Sequence, residues 1–128
     1  MKKGGYVDGF VLPVPKNKVA TYKKMAAWGR KTWMKYGALA YYECMGDDLA
    51  VKAQGGMKPR SFREMAKAKN SDTIWFSFIV YRNKKHRNAV NKKVIAQMEK
   101  ESKKWEGVPM PFDARKMAYG GFKTILGF

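Results

Sequence analysis

The sequence of 128 residues has few of the residue types that build disulfides, metal centres and membrane spans. Its one cysteine, Cys44, cannot form an internal disulfide, and its one histidine, His86, argues against a zinc or haem site. No apolar run approaches the roughly 20 residues of a membrane helix. Asp8, Pro13 and Pro15 interrupt the apolar stretch near the start, so we expect no signal peptide. These absences predict a cytoplasmic protein with no metal, no cofactor and no membrane partner.

Acidic residues are also scarce, since 10 Asp and Glu stand against 27 Lys and Arg, for a net charge of +17. Residues 16–36 hold seven basic residues and no acid, and residues 82–104 hold nine basic residues against two acids. Both segments are predicted helices, so the charge lies on their solvent faces. Such an excess attracts polyanions, including non-specific nucleic acid. The candidate contacts are Lys23, Lys24, Lys92 and Lys93.

Aromatic and β-branched runs alternate with helical periodicity along the chain. Strands are predicted at residues 6–13, 38–45, 73–81 and 115–123. Helices are predicted from about residue 16 to 36, ended by Gly37, and from Asn83 as N-cap to about residue 104. Residues 49–60 are predicted to be a loop, and residues 61–69 to be either a short helix or an edge strand.

The order strand, helix, strand occurs twice, which predicts an α+β ferredoxin-like sandwich with both helices on one face of an antiparallel sheet. The length of the chain predicts one domain, residues 1–128. The segment 73–81 is apolar on both strand faces, a pattern typical of a strand covered on both sides. Since the helices cover one face only, we expect a homodimer in which the second faces stack on each other.

Specific motifs run through nearly the whole chain, at residues 6–16, 37–39, 43–48, 76–79, 91–94 and 110–122. By these motifs the chain resembles the YbaA-like family of uncharacterised bacterial proteins. The resemblance implies a dimeric α+β barrel without an established biochemical function. Ala114 stands where the family's closing turn usually has glycine, and the charge of +17 is not implied by the resemblance.

Three residues are candidates for catalysis, and each has a plainer alternative. Asp8 shares a strand face with aromatic residues, which disfavours its charge and makes it a candidate base; the alternative is an acid satisfied by backbone N–H groups or by a nearby Arg or Lys. Glu43 shares a face with Tyr41, and the alternative is an ion pair with Arg82 or Arg115. His86 lies in the first turn of a helix, whose dipole favours the neutral imidazole; the alternative is a boundary residue.

Aromatic residues and glycines are the candidates for ligand binding. Tyr119 is followed by Gly120 and Gly121, and a hydroxyl beside bare backbone is suited to a small polar ligand. The alternative is a packing contact at the dimer interface. Trp75 and Tyr81, in the most apolar strand, complete the candidate ligand-binding set.

Two functional hypotheses follow. The first is a homodimer that binds a small metabolite in a largely apolar pocket between sheet and helices, with cofactor-free isomerase or oxygenase chemistry and Asp8 as the base. The alternative is a basic RNA- or polyanion-binding protein without catalysis. Reversing the four candidate lysines to glutamate would abolish polyanion binding and leave a pocket unchanged.

Overall fold

The computed structural model describes residues 5–127, which contain two β-α-β units joined by a loop and a short helix. The structure is α+β, as predicted, with a four-stranded antiparallel sheet in the order β2-β3-β1-β4. The elements are β1 (Tyr6–Pro15), α1 (Val19–Lys35), β2 (Ala40–Met45), α2 (Phe62–Met65), β3 (Asp72–Tyr81), α3 (Lys84–Lys100) and β4 (Ala118–Lys123).

Local signals set the ends of the two long helices. Gly37 has a φ of +106°, which is unfavourable for other residues, and it follows the last turn of α1 as predicted. The Asn83 side chain accepts a hydrogen bond of 2.8 Å from the backbone N–H of His86 and so caps α3. Helix α3 ends at Lys100, short of the predicted residue 104, because Ser102–Trp105 tighten into a 3₁₀ turn.

Residues 61–69, predicted to be either a short helix or an edge strand, contain the short helix α2. Its cap is Ser61, whose hydroxyl accepts the Glu64 backbone N–H at 3.1 Å, and the Glu64 side chain lies 3.3 Å from the same hydroxyl. The Ser61 hydroxyl is thus the N-cap of α2. The preceding loop, residues 49–60, has one isolated bridge, between Gln54 and Met57.

The inner face of the sheet packs against α1 and α3. Tyr81 and Ile79 of β3 lie in one buried cluster with Val90 and Val94 of α3. Leu12, Val14 and Trp75 form a second cluster with Tyr22 of α1. Because side chains alternate along a strand, Phe76, Phe78 and Val80 of β3 point to the opposite, outer face.

The outer face is apolar and carries exposed aromatic rings. Phe76 of β3 is 46% exposed, Tyr42 of β2 is 54% exposed and Phe122 of β4 is 63% exposed. The ring of Phe78 stacks on Tyr42 with centroids 5.0 Å apart. Strand β3 is therefore apolar on both faces, as the sequence predicts, but α1 and α3 cover only one of them.

Within residues 5–127, none of the helices has both the length and the apolarity needed to cross a membrane.

Adjacent glycines of β4 provide a matched test of packing on the sheet. An alanine at position 121 would place its Cβ 2.8 Å from Cε2 and 2.9 Å from Cζ of Tyr6, in contact also with the hydroxyl. The Tyr6 ring is held by the Arg87 guanidinium, 4.9 Å from its centroid. Gly121→Ala is therefore expected to lower the free energy of unfolding by about 1–3 kcal/mol.

The control is Gly120→Ala, whose Cβ would meet only Phe122, at 3.7 Å, an ordinary contact. Its expected effect is within about 0.5 kcal/mol. Urea unfolding followed by tryptophan fluorescence measures both changes. Equal stabilities of the two variants would contradict the packing role assigned to Gly121.

Candidate functional site

A cavity of about 230 Å³ lies between the inner face of the sheet and the helices. Its walls are mostly aromatic, aliphatic and methionine side chains from β1, α1, β2, β3 and α3. Phe112 and Met117, from the segment before β4, line it as well. Of the described residues in this wall, Glu43 is the one that carries a formal charge.

Two tyrosines hold the Glu43 carboxyl group. The Tyr22 hydroxyl, from α1, donates a hydrogen bond of 2.8 Å to Oε1. The Tyr41 hydroxyl, two residues before Glu43 on β2, donates a hydrogen bond of 2.8 Å to Oε2. Gly29 leaves room for this arrangement, since a Cβ there would lie 3.0 Å from the Tyr41 hydroxyl oxygen. Helix and edge strand are thus joined through one carboxyl group.

The environment shifts the acidity of all three groups. Burial raises the pKa of Glu43, although its hydrogen bonds from Tyr41 and Tyr22 oppose the rise. Burial, followed by the charge of Glu43, raises the pKa of both tyrosines well above the ordinary value. The tyrosines therefore remain protonated donors, while Glu43 can accept and return a proton nearer neutral pH.

Asp8 lies on the same face of the sheet but in a different environment. It is 1% exposed, and its Oδ1 accepts a hydrogen bond of 2.6 Å from Nη1 of Arg87. The same Nη1 donates to the Tyr119 hydroxyl at 2.9 Å. Asp8 pairs in register with Ile79, whereas Glu43 pairs with Ser77, so the structure does not bring the two acids together.

The aromatic candidates divide between these two places. The Tyr81 hydroxyl is buried near Asp8 and donates to Oδ1 of Asn91 at 3.1 Å, while Tyr119 shares Arg87 with Asp8. Trp75 borders a second cleft that also touches Glu43. Its indole N–H donates to Thr73 Oγ1 at 3.0 Å.

The glycine pair and the histidine lie elsewhere. Gly121 accommodates the Tyr6 ring, and a Cβ at Gly120 would meet only Phe122. His86 accepts a hydrogen bond of 3.0 Å from the Arg82 backbone N–H through Nδ1, at the junction of β3 and α3. Burial, followed by the charge of Arg82, lowers the pKa of His86 and favours the neutral imidazole. None of these three residues lines the cavity.

The four candidate lysines are exposed on the two long helices, Lys23 and Lys24 on α1 and Lys92 and Lys93 on α3. Across the described ranges, no group of three or more His, Cys, Asp or Glu residues is placed to hold a metal ion.

Sequence reasoning missed the role of Tyr22 and did not decide the surroundings of Trp28. Tyr22 lies on the apolar stripe of α1, and a buried tyrosine hydroxyl needs a hydrogen-bond acceptor. This requirement could have indicated that an acceptor such as Glu43 lies nearby. Trp28 lies off that stripe among lysines, a position that predicts either a surface residue or an interface contact, and the structure shows a contact within the chain. Its N–H donates to Glu101 Oε1 at 2.6 Å and its ring packs on Trp105, because α1 contacts α3 as well as the sheet.

Comparison with known proteins shows that a family model described as "Protein of unknown function (DUF1428)" matches residues 5–114. The chain is also similar to the uncharacterised protein YbaA of Escherichia coli K12, with 38% identity over 121 residues, which are 94% of this chain and 97% of that protein. The YbaA proteins of Escherichia coli O157:H7 and Shigella flexneri show the same identity and coverage.

Replacing Glu43 and replacing Asp8 by the corresponding amide are expected to change the free energy of unfolding in opposite directions. A folded-state pKa raised above the unfolded value of about 4.3 stabilises the fold below that pH, and the contribution is lost as pH rises through the folded pKa. Glu43→Gln should therefore be more stable than wild type at neutral pH, and its advantage should shrink as the solution is acidified toward the ordinary glutamate pKa.

Asp8→Asn, the matched change, leaves Arg87 without its buried partner and should cost about 3 kcal/mol. Urea unfolding at neutral and acidic pH measures both variants. A Glu43→Gln protein less stable than wild type at neutral pH, or an Asp8→Asn protein as stable as wild type, would contradict this assignment of environments.

Proposed function

This chain belongs to the DUF1428 family of proteins of unknown function, and we propose that it binds a small, largely apolar molecule and transfers a proton on it without a cofactor. One observation carries the proposal: a carboxyl group with a raised pKa, Glu43, lies in the wall of an otherwise largely apolar cavity. Active sites are where burial shifts a carboxyl toward the working pH in this way.

The size of the cavity limits the ligand. An apolar cavity of about 150 Å³ is enough to hold benzene, and pockets for drug-sized molecules begin near 300 Å³. At about 230 Å³, the cavity beside Glu43 suits a single ring with short substituents.

The chemistry that Glu43 supplies is general base and general acid catalysis. As a carboxylate it takes a proton from a carbon next to a carbonyl group: the C–H bond breaks, an O–H bond forms on Glu43, and the electron pair moves into an enolate. Where a C=C bond adjoins that carbon, the electron pair extends into a dienolate, and return of the proton from Glu43 to the far carbon of that C=C bond completes an isomerisation. Tyr22 and Tyr41 orient the carboxyl throughout and Ser77, opposite Glu43 on β3, is a further hydroxyl in the cavity.

We also propose that the sheet and helices form a ferredoxin-like sandwich that pairs into a dimeric α+β barrel. The strand order and the two β-α-β units support the sandwich. The exposed rings of Tyr42, Phe76 and Phe122 on the outer face support the dimer, since a second copy would cover them with the same surface.

Polyanion binding without catalysis stays a prediction. The exposed lysines of α1 and α3 agree with it, but they would serve equally to solvate these helix faces. Polyanion binding on the helix faces, by contrast, gives the cavity beside Glu43 no role.

Proton transfer can be tested without knowing the physiological substrate. The wild-type protein is expected to accelerate the exchange of the methylene protons of phenylacetone in D2O, measured by proton NMR. Glu43→Gln should slow the catalysed exchange by roughly 10²–10⁴-fold, because it removes the proton acceptor and keeps the shape of the site. Glu99→Gln, on the exposed face of α3, is the matched control and should exchange at the wild-type rate.

A wild-type rate no faster than buffer, or a fully active Glu43→Gln protein, would overturn the proposal. Exchange retained in Glu43→Gln but lost in folded Asp8→Asn would transfer the role of base to Asp8.

The dimer is tested by sedimentation. Wild-type protein is expected to sediment at twice the chain mass, and Phe76→Glu at the chain mass, because it places a charge in the proposed interface. Ile95→Glu changes a side chain of α3 that is 57% exposed, and this control should remain dimeric. A monodisperse wild-type monomer at micromolar concentration would exclude the dimer.

A further inference from the structure

A second cleft, of about 340 Å³, adjoins the cavity. Ala26, Tyr41 and Glu43 line both spaces, so the carboxyl group stands between them. Strand β2 is at the edge of the sheet, and the cleft lies between this edge and α1. A molecule that enters beside Glu43 can therefore extend from the apolar cavity into the cleft.

The cleft is cationic where the cavity is apolar. Lys23 and Arg30 of α1 line it, and Ala27, between them in sequence, completes one helix face through spacings of four and three residues. Short alanine side chains leave space between the two long cationic ones. Within residues 5–127, neither Lys23 nor Arg30 has an acidic side chain within ion-pairing distance.

The cleft is also lined by the aromatic ring of Trp75, whose N–H group already has a hydrogen-bond partner. Trp75 is 4% exposed, and its indole N–H is already bonded to Thr73, so it presents ring surface to the cleft. Glu43 repels an anion, but the two cations Lys23 and Arg30 line the same cleft and offset that repulsion. The net charge of +17 also raises the local concentration of small anions.

Resting on the proposed function, we infer that the ligand is a small aromatic or alicyclic carboxylate whose acid group lies between Lys23 and Arg30 in the cleft. Its ring enters the apolar cavity beside Glu43. The guanidinium group of Arg30 suits the two oxygens of a carboxylate, and Lys23 supplies a second positive charge.

Binding of two matched probes, phenylacetate and phenylacetamide, tests this inference. The probes share a ring and shape and differ in charge. Wild-type protein is expected to bind phenylacetate about three- to tenfold more tightly than phenylacetamide in calorimetric titration at low salt. The double variant Lys23→Gln/Arg30→Gln should lose this preference and keep its affinity for phenylacetamide.

The matched control is Lys24→Gln/Lys31→Gln, which removes the same charge from exposed positions of α1 outside the cleft. It should keep the preference for phenylacetate. Equal loss in the control would show general attraction to the basic surface and overturn the cleft as the acid site.

The outcomes separate this inference from the proposed function. If wild type binds both probes equally, and an enlarged side chain that lines the cavity but not the cleft (Met98→Trp) blocks both, the apolar site stands and the carboxylate inference falls. If wild type binds neither probe, both are overturned. Preference for phenylacetate that depends on Lys23 and Arg30 supports the inference.

Discussion

Strand β3 has to bury both of its faces, and the arrangement of the other elements follows from this constraint. On the inner side Trp75, Ile79 and Tyr81 draw α1 and α3 onto the sheet, and the hydrophobic effect supplies the driving force. The helices do not close this layer completely, and the remaining space is the cavity beside Glu43. On the outer side Phe76 remains 46% exposed within the described chain, which is the physical basis of the dimer that we propose.

The two carboxyl groups on the inner face of the sheet, Asp8 and Glu43, have different electrostatic environments. Asp8 meets a guanidinium group at 2.6 Å, so its charge is compensated and its role is that of a structural ion pair. Glu43 meets two phenols, which donate hydrogen bonds but carry no positive charge, so burial outweighs them and raises its pKa. A carboxyl group with a raised pKa can take up and release a proton, whereas an acid in an ion pair stays charged. For this reason the candidate base is Glu43 and not Asp8.

Sequence periodicity predicted the helices and strands but did not predict which side chains contact each other in the folded chain. The two long helices, their caps at Asn83 and before Gly37, and the four strands follow from patterns that act within a few residues. The segment 61–69 stayed ambiguous, because its four-residue helix depends on a single cap, the Ser61 hydroxyl that accepts the Glu64 backbone N–H. The surroundings of Trp28 stayed undecided because periodicity identifies the face of α1 that meets the sheet, not a second face that meets the segment after α3.

The sequence by itself determined the α+β class, the element order, the basic helix surfaces and the likeness to a family of unknown function. It also placed Glu43 on the face of β2 that carries Tyr41. Only the tertiary structure decided that Asp8 meets Arg87, that Tyr22 reaches Glu43 and that a cationic cleft lies beside the cavity. The two hydrogen-bonded pairs join residues more than 20 positions apart in the sequence, and the cleft depends on how α1 packs beside the sheet. Contacts of this kind are decided by strand register and packing, which local sequence patterns do not specify.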